Sequence, residues 1–296
     1  MQLIIDNMKP LKPILKKSLY FCLILGFIIS LSISCSKSPD IVVQTMTMQM
    51  PDGEKVFTEE LLPGEIAETK IEHIAYNGST LQNLKLSGEN ANMFIFLKGT
   101  GTLTADTSSF NLVPESIAIP MTYKNIKIEV QEGEELHFVR FTKKLSEQDI
   151  EDLKKFPVEN KYDIFFTRFE DCEPYTEKIK SPNTVSRTVL PEDIIPRVAL
   201  GTVEAPGPDE VGAHEHPMLD QLFLGLTDND IVVHADNKSA HFKAYSLLHI
   251  PIGSSHWVTV EENKKMYYMW MDFFLTKEGQ EWLKTHKPIS TDKKDY

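Results

Sequence analysis

The chain repeats itself. FIFLKGTGTL (Phe94 to Leu103) is echoed by LFLGLTDNDI (Leu222 to Ile231), and SIAIPMTYKNIKI (Ser116 to Ile128) by LLHIPIGSSHWVTV (Leu247 to Val260). The pairs occur in the same order at nearly the same offset, the mark of a duplicated structural unit. The repeated pieces are short, rich in β-branched and aromatic residues, and bounded by turn residues. IVVQTMTMQM, KIEHIAY and LHFVRFT share that character, which is a strand pattern. Many short strands at regular spacing imply a sandwich or barrel. The repeat therefore predicts an all-β protein with two copies of one small β-barrel, residues 35–158 and 159–296.

Two helices interrupt this pattern. LSEQDIEDLKKF (Leu145 to Phe156) opens with Ser146 as N-cap and Asp149 three residues on, close to a capping box. TKEGQEWLKTHK (Thr276 to Lys287) closes the chain, with Leu275, Trp282 and Leu283 expected to be buried. Between the copies, Glu159 to Pro196 reads as irregular, rich in charge and proline, and its first part as an interdomain connection.

The N-terminus follows a different logic. Lys9, Lys12, Lys16 and Lys17 precede an unbroken apolar run, Leu19 to Ile33, which ends in Ser34-Cys35. A basic region, an apolar core and a small residue before a cut site describe a secretory signal peptide, residues 1–34. The end of the run resembles a bacterial lipobox with its leucine, Leu31, one position early. That resemblance implies a lipid on Cys35 and attachment to the cell envelope, at the outer membrane or in the periplasm. Cys22 would leave with the signal and Cys35 would carry lipid, so Cys172 would stand alone, without a disulfide partner or a Cys-based zinc cluster. The signal also removes four lysines and one aspartate, taking the net charge from −12 to −15. So much negative charge argues against nucleic acid. It equally argues against an electrostatic hold on anionic lipid, leaving the lipid as the tether.

Chemistry concentrates in GAHEHPMLDQLFLGL (Gly212 to Leu226). Side chains alternate across a strand, so His214 and His216 can share a face while Glu215 points away. Downstream, Pro251-Ile252-Gly253-Ser254-Ser255-His256 offers a turn followed by a third histidine. Three imidazoles converging inside a barrel suit a divalent first-row metal such as Fe, Mn, Zn or Ni. In MYYMWMDFF the same alternation puts Tyr268, Trp270 and Asp272 on one face, which makes Asp272 a candidate catalytic acid or base if that face is internal. Asp228-Asn229-Asp230 reads as a hairpin turn in preference to a calcium loop, and His234, His241 and His249 fall outside the candidate set.

Together, His214-Glu215-His216 with Gln221 and the PxGxxH stretch to His256 resemble the two motifs of the cupin superfamily, small jelly-roll barrels that often hold one metal inside. The resemblance implies His214, His216 and His256 as ligands, with Gln221 where the family places glutamate. Asp220 is the alternative, although alternation turns it to the opposite face. The leading glycine of the second motif is missing, and Val260 stands at the family's asparagine. A glutamine brings no charge, so such a site should bind metal less tightly and polarise a bound group more strongly. Aligning the turns puts Lys85, Ser87, Asn92 and Asn125 at the corresponding positions of the first copy. No ligand survives there, and that copy reads as structural or as a homodimer surface.

The function expected from this resemblance is a metal-dependent enzyme acting on a small oxygenated substrate such as a sugar acid. It would be isomerase-like, similar to bicupin ketouronate isomerases, or dioxygenase-like. The alternative is a non-catalytic envelope module that binds a carbohydrate or another small ligand.

Overall fold

A computed structural model describes residues 40–158, 163–191, 193–216 and 218–284. Its strands are β1 (Val42–Thr45), β2 (Val56–Glu60), β3 (Thr69–Asn77), β4 (Thr80–Lys85), β5 (Asn90–Lys98), β6 (Gly101–Ala105), β7 (Ser108–Leu112), β8 (Ser116–Pro120), β9 (Asn125–Val130) and β10 (Glu135–Lys144). After helix α1 (Glu147–Lys155) come β11 (Ile164–Arg168), β12 (Pro174–Tyr175), β13 (Val185–Leu190), β14 (Val198–Pro206), β15 (Asp209–His214) and β16 (Leu219–Gly225). The chain continues with β17 (Asp230–Ala235), β18 (Lys238–Lys243), β19 (Ser246–Ile250), β20 (His256–Val260), β21 (Lys265–Phe274) and helix α2 (Lys277–Lys284).

The repeat seen in the sequence is a repeat of topology. One half pairs a large sheet, β11-β8-β5-β10-β3-β2, with a small one, β4-β9-β6-β7; the other pairs β1-β19-β16-β21-β14-β13-β12 with β15-β20-β17-β18. Strand for strand, β8-β5-β10-β3-β2 matches β19-β16-β21-β14-β13. The echoed segments are β5 with β6 against β16 with β17, and β8 with β9 against β19 with β20. Among the described residues the fold is all-β, two tandem jelly-roll barrels with two short α-helices.

Each barrel has an apolar interior. Phe94, Phe96, Leu103, Ile128 and Phe138 fill the first, and Phe223, Ile231, Phe242, Val258 and Tyr268 belong to the second. The largest core lies between the two large sheets, where Ile71, Met93, Ile95 and Phe141 meet Leu222, Leu224, Met269 and Phe273. Strand β16 is consequently buried along its whole length. Its even-numbered residues enter the shared core and its odd-numbered ones the barrel interior.

Three expectations need correction. The chain between Glu159 and Pro196 is more ordered than its composition suggests, since it contains β11, β12 and β13. Strand β1, at the head of the first copy, pairs with β19 of the second half, Val42 opposite His249, while β11 edges the first half beside β8. The halves thus exchange edge strands at equivalent places. Leu275 is 44 % exposed; Gly279 and Gln280 are buried instead, against Met218 in the case of Gly279. Trp282 and Leu283 have side chains outside the described set, as does the lipobox around Cys35.

One ion pair ties the halves at their seam. The capping box of α1 forms as expected, with Ser146 and Asp149 bonding reciprocally. Asp149 also accepts Nε and Nη2 of Arg197, both at 2.7 Å. Arg197 Nη1 continues to the Leu275 carbonyl at 2.9 Å. Burial would raise the Asp149 pKa, but the Arg197 and Ser146 hydrogen bonds outweigh it and hold the carboxyl down to about 2. A depressed carboxyl contributes stability above its unfolded pKa and loses it as pH falls through the folded one. Asp149→Ala should therefore destabilise by about 3 kcal/mol at pH 7. In urea titrations the gap to the unaltered protein should close between about pH 4 and pH 2; a gap independent of pH would contradict this account.

Candidate metal centre

The second barrel brings the three histidines together. His214 ends β15 and lies directly opposite His256, the first residue of β20. His216 follows two residues after His214, and the ligand-competent atoms of all three rings lie within 4.8 Å of one another. Among the described residues this is the one group of three or more His, Cys, Asp or Glu placed closely enough to share an ion. The backbone selects the tautomers. His214 Nδ1 donates to the Gly212 carbonyl at 2.8 Å, and His256 Nδ1 to the Ser254 carbonyl at 3.1 Å. In the neutral form of either ring, Nε2 is then the unprotonated nitrogen. His256 Nε2 is buried without a hydrogen-bond partner. Burial, then the neighbouring His214 and His216, push the His256 pKa well below its ordinary value, so the ring is neutral at pH 7.

Gln221 reaches the same interior from β16, facing Asp272 across β21. Gln221 Nε2 donates to Asp272 Oδ1 at 2.8 Å. Its Oε1 is buried with no partner, a condition that costs roughly 1–3 kcal/mol for a neutral acceptor. The carboxylate takes the donor end of the amide, leaving the carbonyl for the interior. Asp220, one residue earlier, turns to the opposite face as alternation predicts. There its Oδ1 lies 3.4 Å from His249 Nε2, and His249 Nδ1 lies 2.7 Å from Glu65 Oε2. His234 meets Thr259 at 3.0 Å. Asn229 of the Asp228-Asn229-Asp230 turn is a structural stitch, donating to the Phe242 carbonyl and accepting from the Tyr267 backbone, both at 2.9 Å.

The three histidines and Gln221 wall a cavity of about 380 Å³ whose lining also includes Asp272, Tyr268 and Trp270. Trp270 can lie across β14 because residue 201 is glycine: a Cβ there would come within 2.3 Å of the indole. Burial pushes the Asp272 carboxyl up to about 7; the Gln221 hydrogen bond and Lys180 oppose this, while Glu177 adds to it.

One wall escaped the sequence reading. Residues 174–181 form a strap packed against the rim strand β15, where the Gly212 N–H donates to the Ile179 carbonyl at 2.9 Å and Lys180 bridges to Val211. Ser181 Oγ fixes the strap's end to Asp209 Oδ2 at 2.6 Å. The strap brings Tyr175, Glu177 and Lys180 into the cavity wall. Lys180 donates to Ser186 Oγ at 2.8 Å and pairs with Glu177 at 3.0 Å. Burial lowers its pKa, with Glu177 acting against the shift. No sequence signal marked Lys180, because the charged, proline-flanked stretch around it has the composition of a solvent-facing linker.

The first barrel is the built-in contrast. Lys85 faces Asn125 just as His214 faces His256. Asn92 occupies the Gln221 position but accepts from Arg140 Nη2 at 2.8 Å. Arg140 stands where the second barrel has Trp270. A guanidinium thus takes up the amide oxygen that corresponds to the unpartnered one of Gln221 in the second copy.

No protein-family model matches the sequence, and no curated protein matches it either. Solved structures do. A Pseudomonas aeruginosa protein described as glyoxylate-induced superposes with a TM-score of 0.63 at 11% identity, over 86% of this chain and 93% of that one. Oxalate decarboxylase from Lactobacillus farciminis gives 0.59 at 12% identity, over 85% and 92%. A cupin 2 conserved barrel domain protein from Leptotrichia buccalis gives 0.53 at 15% identity, over 77% and 92%. At these identities the likeness establishes the fold, which is the cupin fold in tandem.

The donor set, three imidazoles and one amide oxygen, suits a first-row divalent ion. If those atoms bind one, His256→Ala should reduce affinity at least tenfold. Gln221→Glu, which adds a charge, should raise it by a similar factor. Competition against a fluorescent chelator measures both, and equal affinities across the three proteins would refute the assignment.

Proposed function

We propose that the second barrel binds a divalent metal through His214, His216, His256 and the Gln221 carbonyl oxygen, and acts as an enzyme on a small oxygenated substrate. A sugar acid is the class we favour, and isomerase-like proton transfer the reaction type. The observation that carries this reading is the convergence, in one cavity, of three mutually close histidines, a buried carbonyl oxygen without a partner and a buried carboxyl group. The neighbouring solved structures supply only the fold, because fold does not choose function.

The bound ion would supply Lewis acidity toward a substrate carbonyl or hydroxyl pair. The chain's own residues do the rest. Asp272 sits on the inner face, where a carboxyl group can take a proton from one substrate carbon or oxygen and return it to another. Gln221 holds Asp272 through the hydrogen bond at Oδ1, which leaves Oδ2 for the substrate. Tyr268 and Trp270 provide apolar walls that exclude water from that transfer. The proton-transfer reading is favoured over oxygen chemistry by this placement of Asp272.

The lipid anchor belongs to the same proposal. We infer attachment through Cys35 to the cell envelope, supported by the basic and apolar run that precedes it.

Asp272→Asn should lower kcat by about 10²- to 10⁴-fold while the metal content of the purified protein stays the same. Turnover screening on uronic acids and their keto forms, with metal quantified on the same samples, tests both parts. Stoichiometric metal without any turnover would favour a binding module. Cys35→Ala should move the protein from the membrane to the soluble fraction, read by fractionation and immunoblot; an unchanged distribution would eliminate lipid at that residue as the anchor.

A further inference from the structure

We propose that Lys180 anchors a carboxylate of the substrate, so that the second barrel selects organic acids over their neutral counterparts. The proposal deepens the metal reading of the three histidines and rests on it.

Four observations support it. The strap that carries Lys180 belongs to one barrel alone: β2 of the first half matches β13, and β12 with the strap beyond it has no counterpart there. The first barrel has neither the histidines nor this wall. Next, the Lys180 side chain is only 5 % exposed, unusual for lysine. Its ammonium is held from inside the barrel, by Ser186 on β13, which lies opposite the inward-facing Val203. An ammonium has three N–H donors; Ser186 and Glu177 take two.

Charge is the third observation. The histidines and Gln221 bring no negative charge to a divalent ion. Even with Glu177 and Asp272 both counted as carboxylates, the ion and Lys180 leave one positive charge over in a half-open cavity whose walls are mostly buried. The exposed Lys178 at the rim adds to the same sign. An uncompensated buried charge is costly, and one substrate carboxylate removes the excess. Finally, a cavity of about 380 Å³ has room for a small acid.

A purely structural lysine would use the same Glu177 and Ser186 contacts to pin the strap, and the test has to separate the two roles. Binding is measured by calorimetry on the metal-loaded protein, using matched pairs: glycolate and glycolamide, pyruvate and pyruvamide, galacturonate and galactose. At least one acid should bind ten times more tightly than its neutral partner. Lys180→Met, which keeps the buried stem, should reduce that preference to less than twofold and leave the neutral partner's affinity unchanged. Lys180→Arg should retain most of the preference. A structural pin would instead weaken both members alike and lower the thermal midpoint.

The proposal is overturned if Lys180→Met keeps the preference, if neutral partners bind as tightly as acids, or if no acid in the panel binds. Metal is quantified on every sample. If the unaltered protein takes up none, the metal reading fails by itself, and the preference is then scored on the metal-free protein. Its loss in Lys180→Met would still uphold the lysine's role.

Discussion

The central strands of the large sheets are buried on both faces, and the rest of the molecule follows from that. A strand in this position cannot carry a polar side chain without giving it a task. Along β16, the residues on one side of the pleat pack against the other barrel and those on the opposite side enter their own. A shift of one residue would put Leu222 and Leu224 into the cavity and Gln221 into the apolar seam. The seam therefore fixes the register, and the register aims Gln221 and Asp272 at the histidines. Packing between the barrels is thus part of the site's construction, although no residue of the first barrel lines the cavity.

The centre differs from a charged metal cage in the way it is held together. Two of its imidazoles, His214 and His256, owe their orientation to backbone carbonyls two residues earlier, a local device independent of distant side chains. Its oxygen donor owes its orientation to a carboxylate across the strand pair. Negative charge is therefore close to the candidate ligands but one bond removed from them, on Asp272. An ion held there would keep its positive charge available to a guest, which would tie the guest's charge state to how well it is held.

The parts of this design that were readable in the sequence are those set by short spacing. His214, His216 and His256 lie in motifs of short spacing, and the fold brings the three rings together, although β15 ends at His214 and strand alternation does not reach His216. The placement of Gln221 against Asp220 followed from alternation along β16. The alignment of Lys85, Asn92 and Asn125 with the second copy also held, because both copies keep the same hairpins. What stayed hidden depended on partners far away in the chain. Nothing in VVQT announces that it pairs with residues two hundred positions later, and charged TEKIK looks like solvent-facing linker until β15 is seen beside it. Leu275 misled for a related reason: it follows the last strand residue, and the helix that begins after it buries Gly279 and Gln280 instead.

The exchange of β1 and β11 has a consequence for how such a molecule can be divided. Each half lends an edge strand to the other at the equivalent position, beside β19 in one case and β8 in the other. A chain severed between the barrels would yield two fragments, each lacking one strand and carrying another with no sheet to join. Both would present unpaired backbone edges, the usual template for aggregation. The duplicated halves are therefore interlocked, able to reassemble as a complementing pair but not to serve as two independent modules.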